Sequence, residues 1–184
     1  TVSVAAAFKK SSTEATFCRV ALVLDTLSAP CRFVRDAFYD TLVSGNRSLS
    51  LSGEALSMLP IETKTVTIKC ASGTRNTATW AGIPILELLS AADVSDETTH
   101  LVVESDGGYR MCVDIRAALD GLLAFFRDGT PILECEPYET RFITPGVDGA
   151  RTVKAVALLE ARHLSPSADP ESVEEISREE EYSA

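Results

Sequence analysis

Much of what usually identifies a protein is scarce or missing here. No stretch of about 18 apolar residues exists, which excludes a membrane-spanning helix. Lysine is scarce, with 5 Lys against 12 Arg, while Asp and Glu number 27 and the formal net charge is -10. An acidic surface repels nucleic-acid phosphates and anionic lipids, so neither is expected as a partner. The same charge suits a high-salt cytoplasm, where screening leaves the chain dispersed. There is no G-x-G-x-x-G after a strand and no Walker lysine, which removes the common nucleotide motifs. No CxxC occurs among Cys18, Cys31, Cys70, Cys112 and Cys135, and five thiols leave at least one unpaired. Their spacing suits neither a zinc site nor a disulfide scaffold, so a reducing, cytoplasmic setting is expected. The two histidines, His100 and His163, lie far apart, and surface or capping roles are expected for them. The opening "TVSVAAAFKKSSTEA" has its basic residues after the apolar patch, the wrong order for a secretory signal.

What is present reads as one ordinary globular domain: 184 residues, 45% hydrophobic and 24% charged. Residues 1–42 form an N-terminal extension of unassigned role, in which "FCRVALVLDTL" and "PCRFVRDAFYDTLV" fit strand and helix alike. From residue 43 the pattern clears. "SGNRSLSLSGEALSMLP" predicts a turn, a short strand with Leu49 and Leu51, and a helix led by Ser52 with Leu56 and Leu59 inward. "TKTVTIKC" alternates Val66, Ile68 and Cys70 against Thr65, Thr67 and Lys69 and predicts a strand. After Pro84, "ILELLSAA" predicts a helix with Leu86, Leu88 and Leu89 on its apolar side. "HLVVESDGGYRMCVDI" predicts a hairpin, and "IRAALDGLLAFFRDG" an amphipathic helix ending at Gly129. "TPILECEPYETRFITPG" holds two extended pieces, and "DGARTVKAVALLEARHL" a turn and a strand. Residues 164–184 are acidic, poor in core residues, and expected to be a loose tail. Short strands outnumber helices without regular alternation, which predicts an α+β fold with a mixed sheet and short helices.

Two constellations carry candidate chemistry. The first sets Cys70 at a strand end, before a polar loop with Arg75 and ahead of Trp80. The second is "TRFITPGVDGARTVK", where Arg141, Arg151 and Lys154 share 14 residues with Gly146 and Gly149. Glycines expose backbone N–H groups and arginine grips a phosphate with two hydrogen bonds, so this segment is a candidate anion cradle. Pairing of these cations with neighbouring carboxylates is the plainer alternative.

Taken together, the ordered blocks "LSLSGEALSMLP", "VTIKCASG", "WAGIPI" with its later Leu-Leu, "VVESDGGY", "DGTPI" and "RFITPGVDGARTVK" resemble the molybdopterin-binding domain of the sulfite oxidase family, which includes methionine sulfoxide reductase catalytic subunits. The resemblance runs from about Val43 to Ala161, within an expected domain of residues 43–163. It implies a sulfite-oxidase-type fold and a single molybdopterin, with Cys70 as thiolate ligand to molybdenum beside the two dithiolene sulfurs and oxo or hydroxo ligands. Thiolate is a soft ligand suited to such a site. By the same resemblance Arg75 lines a substrate anion pocket, and Ser105 contacts the pterin. Arg141, Gly149 and the turn Thr152-Val153-Lys154 then hold the pterin phosphate. The implied activity moves an oxygen atom between water and a small oxo substrate such as sulfite or a sulfoxide. No haem motif is present, so electrons are expected to leave through a separate protein. A binding or scaffold module that keeps the fold without turnover is the alternative. The chain departs from the family at "EPYETR", residues 136–141, where Glu136 and Glu139 replace an Asn/His-Gly-x-Pro-x-Arg run. The tyrosine such oxidases hold near the metal is not singled out, Tyr109 and Tyr138 both being candidates.

Overall fold

A computed structural model describes residues 42–51, 55–56 and 58–175. The ambiguous segments up to residue 41, with Cys18 and Cys31, lie outside the described residues, as do Ser52 and residues 176–184; only Leu42 and Val43 of the second segment are described, in the first strand.

The described elements are β1 (Leu42–Ser44), β2 (Ser48–Ser50), β3 (Glu62–Lys69), β4 (Arg75–Pro84), α1 (Ile85–Ala91), β5 (His100–Ser105), β6 (Arg110–Asp114), α2 (Ile115–Leu119), β7 (Leu122–Arg127), β8 (Thr130–Pro131), α3 (Ile132–Cys135), β9 (Arg141–Ile143) and β10 (Val156–Arg162). Two 3-10 turns cover Gly149–Arg151 and Pro170–Val173. The strands build two sheets. One runs β2-β1-β10-β5-β6; the other runs β3-β4-β7-β8, with β9 also paired to β7. The first sheet is mixed, because β1 pairs parallel to β10 while its other pairs are antiparallel. This is the expected α+β fold with short helices.

The larger core joins the two sheets through Leu101, Val103, Val113, Leu123, Phe125 and Phe142, all buried. A smaller one lies under the β3–β4 ribbon: Val66, Ile68, Ala78 and Trp80 pack with Leu122, Ile132, Tyr138 and Ile143. Strand β3 follows its period-2 pattern, with Val66 and Ile68 buried and Thr65 and Thr67 exposed. The Asp106–Gly108 turn closes β5 onto β6 with Gly108 at φ +84, a conformation that favours glycine.

Three expectations change. The helix expected over 115–129 stops at Leu119, and Leu122–Arg127 is instead an interior strand paired to β4, β8 and β9. Its residues Leu122 to Phe126 are all buried, so both faces are apolar and the alternation that marks a strand is absent. Gly121 makes the crossing: a Cβ there would lie 2.8 Å from the Ile143 carbonyl oxygen and 2.9 Å from that of Ala118. In α1, Leu86 is 53% exposed, and Ile85, Leu88 and Leu89 form the buried stripe. Because the helix begins immediately after Pro84, the i, i+3, i+4 face starts at Ile85 and turns Leu86 outward. The acidic segment after 164 is tied down as far as Glu175, whose N–H and carbonyl both bond to Arg110 of β6 at 3.0 and 2.7 Å.

Candidate functional site

The β3–β4 ribbon pairs Glu62 with Gly82 through to Lys69 with Arg75 in continuous register. Beyond Lys69 the chain reverses over five residues. The Cys70 N–H donates to the Thr74 carbonyl at 2.8 Å and the Gly73 N–H to the Cys70 carbonyl at 2.9 Å. Gly73 takes φ +84. Cys70 is exposed and unbridged at the mouth of this turn. Cys135 is exposed as well, whereas Cys112 is buried in β6, where loss of solvation pushes its thiol pKa up.

The cation-bearing loop reaches this turn from the other sheet edge. Lys69 and Asp148 form a parallel bridge, and Arg141 pairs with Lys154. Gly149 sits so close that a Cβ on it would be 3.1 Å from the Lys69 carbonyl oxygen and 3.5 Å from the Cys70 Cα. Thr152 ties the loop together: its hydroxyl donates to the Gly149 carbonyl at 2.7 Å and accepts from Arg141 Nη2 at 3.0 Å. Arg141 Nε donates to the Thr152 carbonyl at 3.3 Å. Val153 is buried, and its carbonyl accepts from the Phe142 N–H. Lys154 is exposed, with Nζ 5.6 Å from the centre of the Tyr138 ring.

Beneath the loop the guanidinium carbons of Arg127 and Arg141 each lie 5.5 Å from the Trp80 ring centre, within cation–π range. Close by, the Tyr138 hydroxyl is buried beside the Arg141 guanidinium, while Trp80 Nε1 is buried with no hydrogen-bond partner among the described residues. A buried polar group left so costs about 1–3 kcal/mol, which is tolerated where a ligand completes the bond. Burial raises the Tyr138 pKa and the neighbouring Arg141 charge opposes that shift, so the hydroxyl is held as a donor. Among the described residues no three His, Cys, Asp or Glu side chains gather as a metal cage. A metal at the Cys70 turn would have that thiolate as its side-chain ligand and need the rest from a bound sulfur-rich group. The exposed thiol at the Cys70 turn and the Gly149 close approach fit a cofactor that these two segments would hold between them.

Other expected residues sit elsewhere. Arg75 lies across from Lys69 on the ribbon's odd-numbered face, with Thr67 and Thr77, opposite the face that holds Trp80. Ser105 is buried, and its hydroxyl accepts from the Tyr109 N–H at 3.0 Å to close the β5–β6 turn. Arg151 bonds the Cys112 carbonyl and Glu174, so its guanidinium is turned away from Arg141's cluster. The Tyr109 hydroxyl donates to the Ala150 carbonyl at 2.9 Å. Of the two departing carboxylates, Glu139 is exposed and Glu136 pairs with Arg127 at 3.3 Å. Arg127 and Glu174 were not singled out by sequence. One falls in the segment that reads as helix, the other in the acidic tail.

The family model "Oxidoreductase molybdopterin binding domain" matches residues 32–168. Mouse (Mus musculus) mitochondrial sulfite oxidase is 29% identical over 141 residues, covering 60% of this chain and 26% of that protein. The human (Homo sapiens) mitochondrial sulfite oxidase is 28% identical over the same span and coverage. The chain thus spans about a quarter of the length of these curated relatives. Among solved structures, the sulfane dehydrogenase SoxCD of Paracoccus pantotrophus superposes with a TM-score of 0.61 at 24% identity, over 70% of this chain and 39% of that one, which is a likeness of fold.

Proposed function

From the chain's membership of the oxidoreductase molybdopterin-binding domain family, we propose that it holds a single molybdenum–pterin group between the Cys70 turn and the Gly149–Lys154 loop and acts on a small oxo substrate. When bound, that cofactor supplies the two-electron oxygen-atom chemistry. The protein's part is to hold and to orient. Cys70 offers a thiolate from a short turn, so the sulfur is placed by backbone bonds rather than by a long flexible side chain. Lys154 meets the negative charge of the pterin phosphate, and Gly149 lets the backbone approach without a side chain between. Arg141, fixed by Thr152, adds a second positive charge from below. Ser105 acts through the shape of the β5–β6 turn. Arg75 marks the solvent side of the Cys70 turn, where a small anionic or strongly dipolar substrate such as sulfite or a sulfoxide would arrive.

The observation that carries this reading is the contact between Gly149 and Cys70, which brings two segments about 80 residues apart in sequence onto one surface. Electrons would pass to a separate protein. Among the described residues no helix is long and apolar enough to cross a membrane. A cytoplasmic site, at high salt given the charge of -10, belongs to the same proposal. Metal analysis of protein produced in its own host tests it. Stoichiometric molybdenum, lost on Cys70→Ser, is the expected result; a mere trace in the unaltered protein removes the catalytic reading. One observation favours a second reading, a binding or scaffold module without turnover. Arg141 commits Nε and one Nη2 hydrogen to Thr152 and lays its face on Trp80, so part of its binding capacity is used within the protein.

A further inference from the structure

Glu174 sits within the acidic segment that reads as solvated, yet its side chain is only 9% exposed. Its Oε1 accepts from Arg151 Nη1 and from the Cys112 N–H, the latter at 3.1 Å. The same Arg151 Nη1 donates to the Cys112 carbonyl. Three pieces of chain therefore meet at one carboxylate: β6, the 3-10 turn Gly149–Arg151, and the segment after the 3-10 turn Pro170–Val173. That last turn is itself capped, with Asp169 Oδ1 accepting from the Glu171 N–H at 3.0 Å. Glu175 then bonds Arg110 in both directions, which fastens the segment to β6 by a single antiparallel bridge. Arg151 is two residues from Gly149 and one from Thr152, the residues that touch the Cys70 turn and fix Arg141.

We propose that Glu174 is a positioning residue: by gripping Arg151 it uses the carboxy-terminal segment as a strap that holds the Asp148–Lys154 loop in the shape that receives the cofactor. The sequence groups Arg151 with the anion-binding cations. The structure assigns it instead to the fastening of the loop, while Lys154 and Arg141 are left to face the ligand. A charge-assisted hydrogen bond to a nearly buried carboxylate is far stronger than an exposed ion pair, so the grip is specific rather than incidental. The meaning of the strap rests on the cofactor reading above, but its existence does not.

Hydrogen exchange on the metal-free 184-residue chain tests the strap directly. The reporters are the amides of Arg151, Thr152 and Ala155, which bond to Asp148, Gly149 and Thr140 carbonyls. Glu174→Gln keeps the size and one acceptor while removing the charge. Exchange at these amides should rise about tenfold, the scale of one charge-assisted hydrogen bond, while amides of β7 stay protected. Arg151→Gln should do the same, and the double variant should exchange no faster than the faster single one. Equal acceleration in β7, no change in the loop, or additive effects in the double variant would each overturn the proposal. Should Glu174→Gln not fold, Arg151→Lys, which keeps the charge but not the fork, replaces it with a smaller rise expected at the same amides and none at β7. Molybdenum retention, measured separately after gel filtration, should fall in the strap variants. A trace of molybdenum in unaltered protein would remove the cofactor reading and leave the exchange result standing on its own.

Discussion

The Cys70 turn and the Gly149–Lys154 loop meet at one surface and are built in opposite ways. Residues 69–77 are all exposed, and the turn is closed by two backbone hydrogen bonds and a glycine at positive φ. The loop, by contrast, has Thr152 and Val153 buried, Arg141 bonded to Thr152 twice, Arg151 bonded to β6 and the strap, and Ala150 held by Tyr109. A loop that must meet a large anionic ligand gains from being set in advance, because ordering it on binding would subtract from affinity. A turn whose duty is to present one sulfur needs only backbone placement, and its bareness leaves the sulfur open to metal and substrate. The two halves should therefore respond to substitution in different observables.

The largest contrast is expected between two cysteines. Cys70→Ser should abolish turnover and molybdenum retention while shifting stability by less than about 0.5 kcal/mol, as for most exposed positions. Cys112→Ser should do the reverse. It puts a hydroxyl into the buried face of β6, at a cost of about 1–3 kcal/mol if that group finds no partner, and leaves turnover intact. Urea unfolding together with activity of the loaded protein separates the two. Equal loss of activity from both replacements would end the distinction between turn and core. Next in size is Thr152→Val, which keeps the shape but deletes the hydroxyl shared by Gly149 and Arg141. A loss of about 1–2 kcal/mol in urea is expected, with weakened cofactor retention but a Cys70 thiol that reacts with iodoacetamide as before. A changed Cys70 labelling rate would mean that the two halves are mechanically one.

How far the sequence foretold this arrangement depends on how local each signal was. Strand β3 is legible because Thr65, Val66, Thr67 and Ile68 alternate, and the β5–β6 hairpin because Asp106-Gly107-Gly108 specifies a turn, whereas β4, the partner of β3, is not foreseen. Strand β7 is not legible either. Leu122-Leu123-Ala124-Phe125-Phe126 is apolar on both faces, and its continuation of the α2 spacing imitates a helix until Gly121 is weighed as a break. Pairing with β4, β8 and β9 decides the matter, and no local window contains those partners. The candidate site shows the same division. The roles of Cys70, Arg141 and Lys154 come from the order of blocks that resemble one family rather than from any single spacing. Glu174 is hidden because one carboxylate among 27 acidic residues has no mark until the half-buried Arg151 guanidinium pairs with it.

The smallest effect expected is on the ribbon's outer face. Thr65 and Thr79 hydroxyls lie 3.1 Å apart and those of Thr67 and Thr77 2.7 Å apart, cross-strand pairs in exposed positions that lead up to Lys69 and Arg75. Such pairs contribute about 0.2–1 kcal/mol, and valine at Thr67 keeps the β-branched shape that suits a strand. Thr67→Val should therefore move the urea midpoint only slightly. Because Thr67 shares its face with Arg75 and not with Trp80, any functional change it causes should raise KM for an anionic substrate without altering molybdenum content. A fall in molybdenum content instead would place the odd-numbered face of the ribbon against the cofactor, and Arg75 would then have to be counted with Lys154 as part of its cradle.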